Sequence, residues 1–598
     1  MDMTIHGLLD AYRTQQLTPD NVIEQILGRC TEYDESNIWI HRLTREELEP
    51  YLSKLRQHSP DSLPLYGIPF AIKDNIDLAG IPTTAACEAF AYTPQESAFV
   101  VQRLIDAGAI PLGKTNLDQF ATGLVGTRSP WGACHNAFDP DYISGGSSSG
   151  SSVATALGLV SFALGTDTAG SGRIPAAFNN IVGVKPTRGL VSMTGVVPAC
   201  RSLDCVSLFA LTTDDANLVL EYMAVYDPTD TYARPNIFAN RQRHYGSPTG
   251  EFHFGVPTAA QLEFFADASA QALFTSCIEK LEAMGGIKTE IDFAPFLSAA
   301  GLLYDGPWLA ERFIATEDII TQQPEAMLPV TRGIIGQATA KTAVDAFKAE
   351  YILKTYSRQA EDILATIDFI VTPTAGTIYT IEQLEQEPVA LNTQLGYYTN
   401  FMNLLDCAAV AMPAGFLDTG LPWGITLFST AFEDRKLLSY ANRWQQLLKL
   451  PLGAMQQKLA GSYNTTVNFS KFIPVVVCGA HLEGLPLNWQ LRERGAVFAE
   501  KTTTSPFYRM YALAGGPPFR PGLIRTEKGG ESIEVEVWHV PADEFGSFVA
   551  GIPAPLGIGK LELVDGRWLP GFICEGHAVT DAKEITQLGG WRAYLAKH

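Results

Sequence analysis

Two loops rich in glycine and serine, separated by one apolar segment, constrain the fold of this chain more than any other feature. The first loop, residues 145–150, reads GGSSSG and contains Ser147, and the second, residues 168–172, reads TAGSG and contains Ser171. Glycine allows backbone conformations that bring main-chain N–H groups close to a substrate oxygen. A flexible linker would have polar neighbours, whereas residues 152–164 are largely apolar. The pattern therefore predicts a buried segment with a serine-bearing loop at each end, as in a hydrolase.

A serine nucleophile needs a base, and the usual base is histidine. No histidine in the first 460 residues lies in a glycine-rich or strand-end context. Lys73 is the better candidate, because the strand-like apolar run at residues 65–72 leads directly into it. A lysine can act as a base when burial lowers its pKa. Taken alone, Lys73 also fits a lysine at the end of a strand with its amine in solvent.

Three segments together resemble the amidase signature family: the stretch around Lys73, the GGSSSG loop, and the block GTDTAGSGRIPAAFNNIVGVKPTRG at residues 165–189. The resemblance implies a Ser-cisSer-Lys triad with Ser171 as nucleophile, Ser147 as bridging serine and Lys73 as base. It also implies a cis peptide bond before Ser147, and no metal or organic cofactor. An oxyanion hole is implied as well, formed by the backbone N–H groups of Thr168, Ala169, Gly170 and Ser171.

Two further segments are similar to the allophanate hydrolases within that family: LLYDGPWLAERF at residues 302–313 and VCGAHLEGLPLNWQL at residues 477–491. The resemblance implies hydrolysis of allophanate (urea-1-carboxylate) through an acyl-enzyme, giving ammonia and carbon dioxide via N-carboxycarbamate. It implies that Tyr304 and Arg312 hold the substrate carboxylate, a role that suits a planar guanidinium and a phenol. The alternative is that Glu311 and Arg312 are solvated charges on a helix.

The alternation of strand-like and helix-like segments predicts an α/β layered domain with a mostly buried sheet over residues 1–458. The resemblance to the amidase signature family implies an α/β/α arrangement with a mixed central sheet. The first 33 residues read as two helices, the second beginning at Thr18-Pro19. Near the end of the domain, residues 367–374 and 408–415 read as buried strands that end in proline turns. A helix over residues 431–448 is expected to complete it.

A polar stretch at residues 459–471 predicts a linker, and residues 472–598 read as a small β-rich domain with one short helix near the C-terminus. This domain resembles the γ-glutamylcyclotransferase fold. Residues 548–553 lack the acid that cyclotransferase chemistry would require there. His481 is a candidate acid/base for the later decay of N-carboxycarbamate; a structural histidine, in a domain that serves assembly, is the alternative.

The composition excludes several classes of protein. A net charge of −21 with no basic stripe argues against a nucleic-acid partner. No apolar run is long enough to span a bilayer and the N-terminus does not read as a signal peptide, so we expect a cytoplasmic protein without membrane contact. The nine cysteines are scattered singly. This favours buried, reduced thiols over disulfides or a zinc site.

The expected partners follow from the same observations. Family resemblance implies a homodimer through the amidase domain. The chain contains neither a GxxxxGK[ST] loop nor a Met-Lys-Met biotin-attachment motif. Any ATP-dependent carboxylation of urea therefore belongs to a separate protein, and association with a urea carboxylase or other enzymes of the urea or cyanurate routes is expected.

Three other functions remain open. An amidase acting on another small, neutral amide would leave Arg312 without a role. A glutamine amidotransferase subunit, passing ammonia to a partner that binds tRNA, fits poorly with the acidic composition and the additional C-terminal domain. An inactive scaffold would be expected to have lost Lys73, Ser147 or Ser171, and all three are present.

Overall fold

The computed structural model describes residues 1–246, 250–459, 461 and 472–597. The predicted linker, residues 459–471, lies outside the described residues except for 459 and 461. The described residues form two compact units. The first unit contains Met1–Asn236 and the described residues from Tyr245 to 461, and the second contains Ile237–His244 and residues 472–597.

An eleven-stranded mixed sheet runs through the described part of the first unit. Its strands are β1 (Trp39–Arg42), β2 (Pro69–Lys73), β3 (Ile110–Thr115), β4 (Phe162–Asp167), β5 (Val182–Lys185), β6 (Cys205–Ala210), β7 (Phe252–Pro257), β8 (Gly286–Ile291), β9 (Phe369–Pro373), β10 (Ala408–Phe416) and β11 (Pro422–Ser429). They lie in the order β1-β3-β2-β4-β6-β5-β10-β11-β9-β7-β8. The predicted α/β class with a mixed central sheet is therefore confirmed.

Fifteen α-helices of the described first unit accompany this sheet. They are α1 (Ile5–Arg13), α2 (Pro19–Cys30), α3 (Arg45–Leu55), α4 (Phe99–Asp106), α5 (Ser149–Ala156), α6 (Ile174–Phe178), α7 (Thr213–Met223), α8 (Ala268–Ala283), α9 (Ala294–Asp305), α10 (Leu309–Gln322), α11 (Pro329–Gly336), α12 (Ala343–Leu364), α13 (Ile381–Gln386), α14 (Ala390–Leu395) and α15 (Asp434–Leu448). The predicted start of α2 is confirmed, since the Thr18 side chain accepts a hydrogen bond from the Asn21 N–H and Pro19 occupies the first helical position.

Strands β2 and β4 bring the distant motifs together. They are parallel neighbours in the sheet, and all of their residues are buried. Because the carboxyl ends of parallel strands meet at the same edge, Lys73 at the end of β2 lies near the loop that follows Asp167 at the end of β4. Helix α5 begins at Ser149, and it contacts both strands. Ser147, just before this helix, therefore reaches the same edge.

One local prediction is confirmed and one differs from the structure. The apolar segment at residues 152–164 is buried throughout, as predicted, and it contains two elements: α5 ends at Ala156, Gly158 turns the chain with a φ of 62°, and β4 begins at Phe162. Strand β10 does not end in a proline turn, because Pro413 continues it opposite Gly424. The register shifts between Pro413 and Gly415, and such an irregularity tolerates a residue that has no N–H to donate.

The second unit is rich in β-structure, as predicted. Its strands are β12 (Phe472–Val477), β13 (Val497–Thr503), β14 (Tyr508–Ala512), β15 (Pro521–Arg525), β16 (Glu534–Pro541), β17 (Leu556–Glu562), β18 (Trp568–Cys574) and β19 (Lys583–Glu584). They form a sheet in the order β13-β16-β12-β18-β17 and a smaller one in the order β15-β14-β19. Three short helices, rather than one, lie among the described residues: α16 (Trp489–Glu493), α17 (Ala542–Ala550) and α18 (Trp591–Leu595).

Two further expectations from the sequence concern the cysteines and the membrane. All nine cysteines are buried and have free thiols, so their predicted burial is confirmed. Within the described parts of the chain, none of the helices combines the length and the apolar character that crossing a membrane requires.

Candidate active site

Lys73, Ser147 and Ser171 form one continuous chain of hydrogen bonds. The Lys73 Nζ donates to the Ser147 Oγ over 2.7 Å, and the Ser147 Oγ donates to the Ser171 Oγ over 2.9 Å. Lys73 and Ser147 are fully buried, and Ser171 is 3% exposed. A proton can therefore pass between a lysine amine and a serine hydroxyl through a second serine, away from bulk water.

The loop before Ser147 is held by a buried aspartate. The peptide bond between Gly146 and Ser147 is cis, as the family resemblance predicts. The Asp118 N–H donates to the Ser147 carbonyl oxygen, and the Asp118 carboxylate accepts hydrogen bonds from the N–H groups of Val125, Gly126 and Arg128. A Cβ at position 146 would lie 2.1 Å from the Asp118 Oδ2, so only glycine allows this approach.

The surroundings of Lys73 favour a neutral amine. Burial lowers the pKa of Lys73 to about 7. Three buried carboxylates oppose that shift without cancelling it, those of Asp118, Asp204 and Asp167. The amine also donates to the Thr166 Oγ1 over 2.8 Å, and Asn75 donates to the same hydroxyl over 3.4 Å. Near neutral pH a large fraction of Lys73 can therefore accept a proton.

A buried ion pair shapes the loop that contains Ser171. The Arg173 guanidinium binds both oxygens of the Asp167 carboxylate, each over 2.9 Å. The Gly170 N–H donates to the same carboxylate over 3.0 Å, so it is already committed. The N–H groups of Thr168, Ala169 and Ser171 make no hydrogen bond within the part of the chain that the structure describes. Three of the four predicted oxyanion donors are therefore available to a substrate.

Tyr304 and Arg312 come together, although they lie on different helices. Tyr304 is near the end of α9 and Arg312 is in the first turn of α10, and the guanidinium lies over the phenol ring at 5.7 Å from its centroid. Arg312 is 2% exposed and donates to the Ala121 carbonyl and the Thr122 hydroxyl. The alternative, that Glu311 and Arg312 are solvated charges on a helix, is therefore wrong. Arg312 is buried, and Glu311 accepts hydrogen bonds from the Ser202 N–H and hydroxyl.

Arg312 belongs to the same site as the hydrogen-bond chain. Arg312 donates to Ala121 and Thr122, and the same loop contains Asp118, whose N–H donates to the Ser147 carbonyl. Burial is the main cause of the low pKa of Lys73, and the positive charge of Arg312 lowers it further. Among the described residues, Arg312 forms no ion pair with a carboxylate. The Asp204 carboxylate is near enough to act on the charge of Arg312 but does not pair with it directly. The site therefore combines a relay of two serines and a lysine with a buried cation that has no carboxylate in direct contact among the described residues.

Residues 21–438 match the family model described as amidase. The chain belongs to the amidase family. Residues 473–596 of this amidase match a second model, described as the allophanate hydrolase C-terminal domain. The predicted resemblance to the amidase signature family, and within it to the allophanate hydrolases, is confirmed.

Three similar proteins match this chain over different fractions of its length. The urea amidolyase of Saccharomyces cerevisiae is 42% identical over 96% of this chain, which spans only 32% of that protein. A solved structure of Kluyveromyces lactis allophanate hydrolase is 40% identical, with a TM-score of 0.76, and the match covers 98% of this chain and 99% of that one. A glutamyl-tRNA(Gln) amidotransferase subunit of Halothermothrix orenii is 30% identical over 75% of this chain and 98% of its own length.

The second unit of the amidase contains a cavity of about 170 Å³ beside His481. The His481 ring stacks on Phe572 with 4.9 Å between the centroids, and its Nε2 lies 2.9 Å from the Gln490 side-chain oxygen. Burial lowers the pKa of His481, so the ring is neutral at neutral pH. Arg520 also lines the cavity. The structure therefore places His481 at a small cavity of its own, within the second unit.

Sequence reasoning missed several polar residues of the amidase site. Thr166 accepts a hydrogen bond from the Lys73 amine, and Asn75 donates to Thr166. Both lie within the motifs that identified the site, so their positions next to a strand end were the available signal. Asp118 and Arg128 lie in a segment that was not singled out, and no local pattern distinguishes them. Their part in the site depends on contacts with distant segments.

Proposed function

We propose that this amidase hydrolyses allophanate, with Ser171 as nucleophile, Ser147 as bridging serine and Lys73 as base. The observation that carries the proposal is the buried Arg312, which has no carboxylate partner among the described residues and lies beside the serine and lysine relay. A substrate carboxylate would give Arg312 a direct anionic partner, with Tyr304 as a neighbouring donor. The names of the yeast relatives, urea amidolyase and allophanate hydrolase, agree with this substrate.

The first step forms an acyl-enzyme. Neutral Lys73 takes the Ser147 proton while Ser147 takes the Ser171 proton, and the Ser171 Oγ attacks the carbonyl carbon that bears the terminal amino group. The negative charge on the carbonyl oxygen is stabilised by the uncommitted N–H groups of Thr168, Ala169 and Ser171. Because these donors are fixed before the reaction, they stabilise the transition state without reorganising.

The second step releases the products. The relay returns the proton to the amino nitrogen, the bond between carbon and nitrogen breaks, and ammonia leaves. Water then attacks the ester on Ser171 and gives up a proton through the same relay, which yields N-carboxycarbamate and restores the hydroxyl. Arg312 faces the carboxylate throughout, so its charge is useful for binding as well as for orientation.

The test of the substrate compares allophanate with biuret, which has an amide in place of the carboxylate. We expect Arg312→Met to lower kcat/KM for allophanate by roughly 30- to 150-fold, because losing a charge-assisted contact in a buried site costs about 2–3 kcal/mol. The rate with biuret should change little. Ammonia release is measured for both substrates, with Arg103→Met, at an exposed arginine of α4, as the matched control.

Two results would contradict this proposal. If Arg312→Met lowered the rates with allophanate and biuret equally, the residue would support the fold and would not bind a carboxylate. If the wild-type protein released ammonia from glutamine and not from allophanate, the function suggested by the name of the Halothermothrix orenii relative would replace ours.

We further propose that the second unit assists the decay of N-carboxycarbamate to carbon dioxide and ammonia. The Arg520 charge at this small cavity suits the N-carboxycarbamate dianion, whose nitrogen must gain a proton as carbon dioxide leaves. The neutral His481 ring can accept a proton from water and pass it to that nitrogen, so that the carbon–nitrogen bond breaks with release of carbon dioxide. We expect His481→Ala to leave the first ammonia unchanged and to slow the second phase of ammonia release. A time course with allophanate, at a pH where the unaided decay is slow, measures both phases. Identical phases in the variant would favour an assembly role for this unit.

We propose a cytoplasmic homodimer as the working form of the protein. Helix α12 exposes Val344, Phe347 and Tyr351 by 61%, 62% and 70%, and their spacing places them on one helix face. An apolar stripe of this kind is typical of a surface that another chain covers. The nine reduced cysteines fit a reducing compartment.

We also propose association with the enzyme that makes the substrate. Allophanate is urea with an added carboxyl group, so a urea carboxylase, or another enzyme of the urea or cyanurate routes, must supply it. The yeast urea amidolyase carries the matched region within a chain about three times as long, since the match spans 32% of its length.

A further inference from the structure

A second buried arginine, Arg128, binds the loop that also holds Arg312. Arg128 is 4% exposed, and its guanidinium donates to the Thr122 carbonyl over 2.9 Å and to the Pro388 carbonyl over 2.5 Å. Arg312 donates to the Thr122 hydroxyl over 2.9 Å. Thr122 is therefore bound by two arginines at once, one through its main chain and one through its side chain.

The charge of Arg128 is not neutralised by an ion pair. Both of its bound acceptors are neutral carbonyls, and its buried Nε has no hydrogen-bond partner in the described chain. Asp118 is close enough to act on it, but that carboxylate already accepts three backbone N–H groups. Burial lowers the pKa of Arg128, and the charge of Arg312 lowers it further, so the two cations repel each other. A bound anion would offset this repulsion.

The loop between the two arginines needs external support. Phe120 and Ala121 both have positive φ angles, 50° and 51°, which side-chain-bearing residues rarely adopt. The next residue, Thr122, is held within the turn by its N–H, which donates to the Gln119 carbonyl, and by its hydroxyl, which donates to the Phe120 carbonyl. From outside the turn it is held by the guanidinium groups of Arg128 and Arg312. Without Arg128, the Thr122 carbonyl would lose its donor, and the hydroxyl that Arg312 binds would be positioned only by the hydrogen bonds within this strained turn.

We propose that Arg128 is a positioning residue that sets the preference of the enzyme for a substrate with a carboxylate. It fixes Thr122, which fixes the Arg312 guanidinium, and it adds a second positive charge near the same anion. This inference rests on the proposed function, since it assumes that Arg312 faces the carboxylate. Arg128 makes no contact with the reacting atoms in this scheme.

The test measures the ratio of kcat/KM for allophanate to kcat/KM for biuret. We expect Arg128→Met to lower this ratio by about tenfold, mainly through a higher KM for allophanate, because the two arginines belong to one hydrogen-bond network. Arg128→Lys, which keeps the charge but not the fork of donors, should restore part of the ratio. Arg103→Met serves again as the control, with no expected change.

Thr122→Val supplies a second route to the same result. It removes the hydroxyl that Arg312 binds and keeps the carbonyl that Arg128 binds. We expect it to lower the ratio as Arg128→Met does, even if the latter folds poorly. A wild-type preference for allophanate that survives both substitutions, or a loss shared equally by both substrates, would overturn this inference alone. A wild-type enzyme without the preference would overturn the proposed function instead.

Discussion

Replacing Ser171 with alanine is expected to lower ammonia release from allophanate by a factor on the order of 10⁴ to 10⁶, the range found when a serine hydrolase loses its nucleophile. The Ser147 hydroxyl would lose its acceptor at 2.9 Å but keep its bond to Lys73, so the buried site should remain folded. Allophanate should still bind, because Arg312 and the oxyanion loop are unchanged. Single-turnover ammonia release and substrate binding, measured separately, would check both expectations.

Ser152→Ala is the matched control for that experiment. Ser152 is also a fully buried serine of this region, but its hydroxyl donates to the Ser149 carbonyl within α5 and takes no part in the relay. We expect its variant to lose a little thermal stability, about 1 kcal/mol, and to keep its activity. Undiminished turnover by Ser171→Ala would remove the nucleophile assignment, and with it the acyl-enzyme.

The three relay residues could be predicted from the sequence because each lies in a short pattern with a direct physical meaning. An apolar run ending in Lys73 predicts a buried strand end, and glycine loops around Ser147 and Ser171 predict close approaches of the main chain. The pairing of β2 with β4 then places the strand ends at one edge of the sheet. The family resemblance named the roles, and the fold explains how these residues can meet.

The support around those residues could not be predicted, because it depends on contacts between distant segments. Arg128 binds Pro388 across 260 positions in the chain, and Arg312 binds Thr122 across 190. Nothing in the residues next to Arg128 indicates burial. The pair Glu311-Arg312 is likewise typical of a solvated helix face when it is considered as sequence alone. Only the structure shows that both side chains bind residues of distant segments.

Local patterns also gave the wrong extent for some elements. A proline in an apolar run reads as the end of a strand, yet Pro413 continues β10 because the ladder is irregular at that point. In the second unit, α16 and α18 have only five residues each, too few to show a helical period. The motif predicts that the Gly170 N–H is an oxyanion donor. Only the structure shows that this N–H already donates a hydrogen bond to the Asp167 carboxylate.

The rate of allophanate hydrolysis should depend on the neutral form of Lys73. Because burial lowers the pKa of Lys73 to about 7, the amine gains a proton as the pH falls below that value and can no longer accept one from Ser147. We expect kcat/KM to rise by nearly tenfold per pH unit below about 7 and to level off above it. Lys73→Met should lower the plateau by about 10²- to 10⁴-fold, the usual contribution of a general base.

Lys73→Arg separates the base from its charge. An arginine keeps donors for Ser147 and Thr166 but stays protonated at every accessible pH, so this variant should be as inactive as Lys73→Met and should show no rise near pH 7. Lys114 is the comparison, because it is equally buried but paired with Asp74 at 2.9 Å. Lys114→Met should lose stability and retain the rise near pH 7. A wild-type profile that is flat between pH 6 and 8 would contradict this prediction, because a base with a pKa of about 7 changes its protonation state within that range.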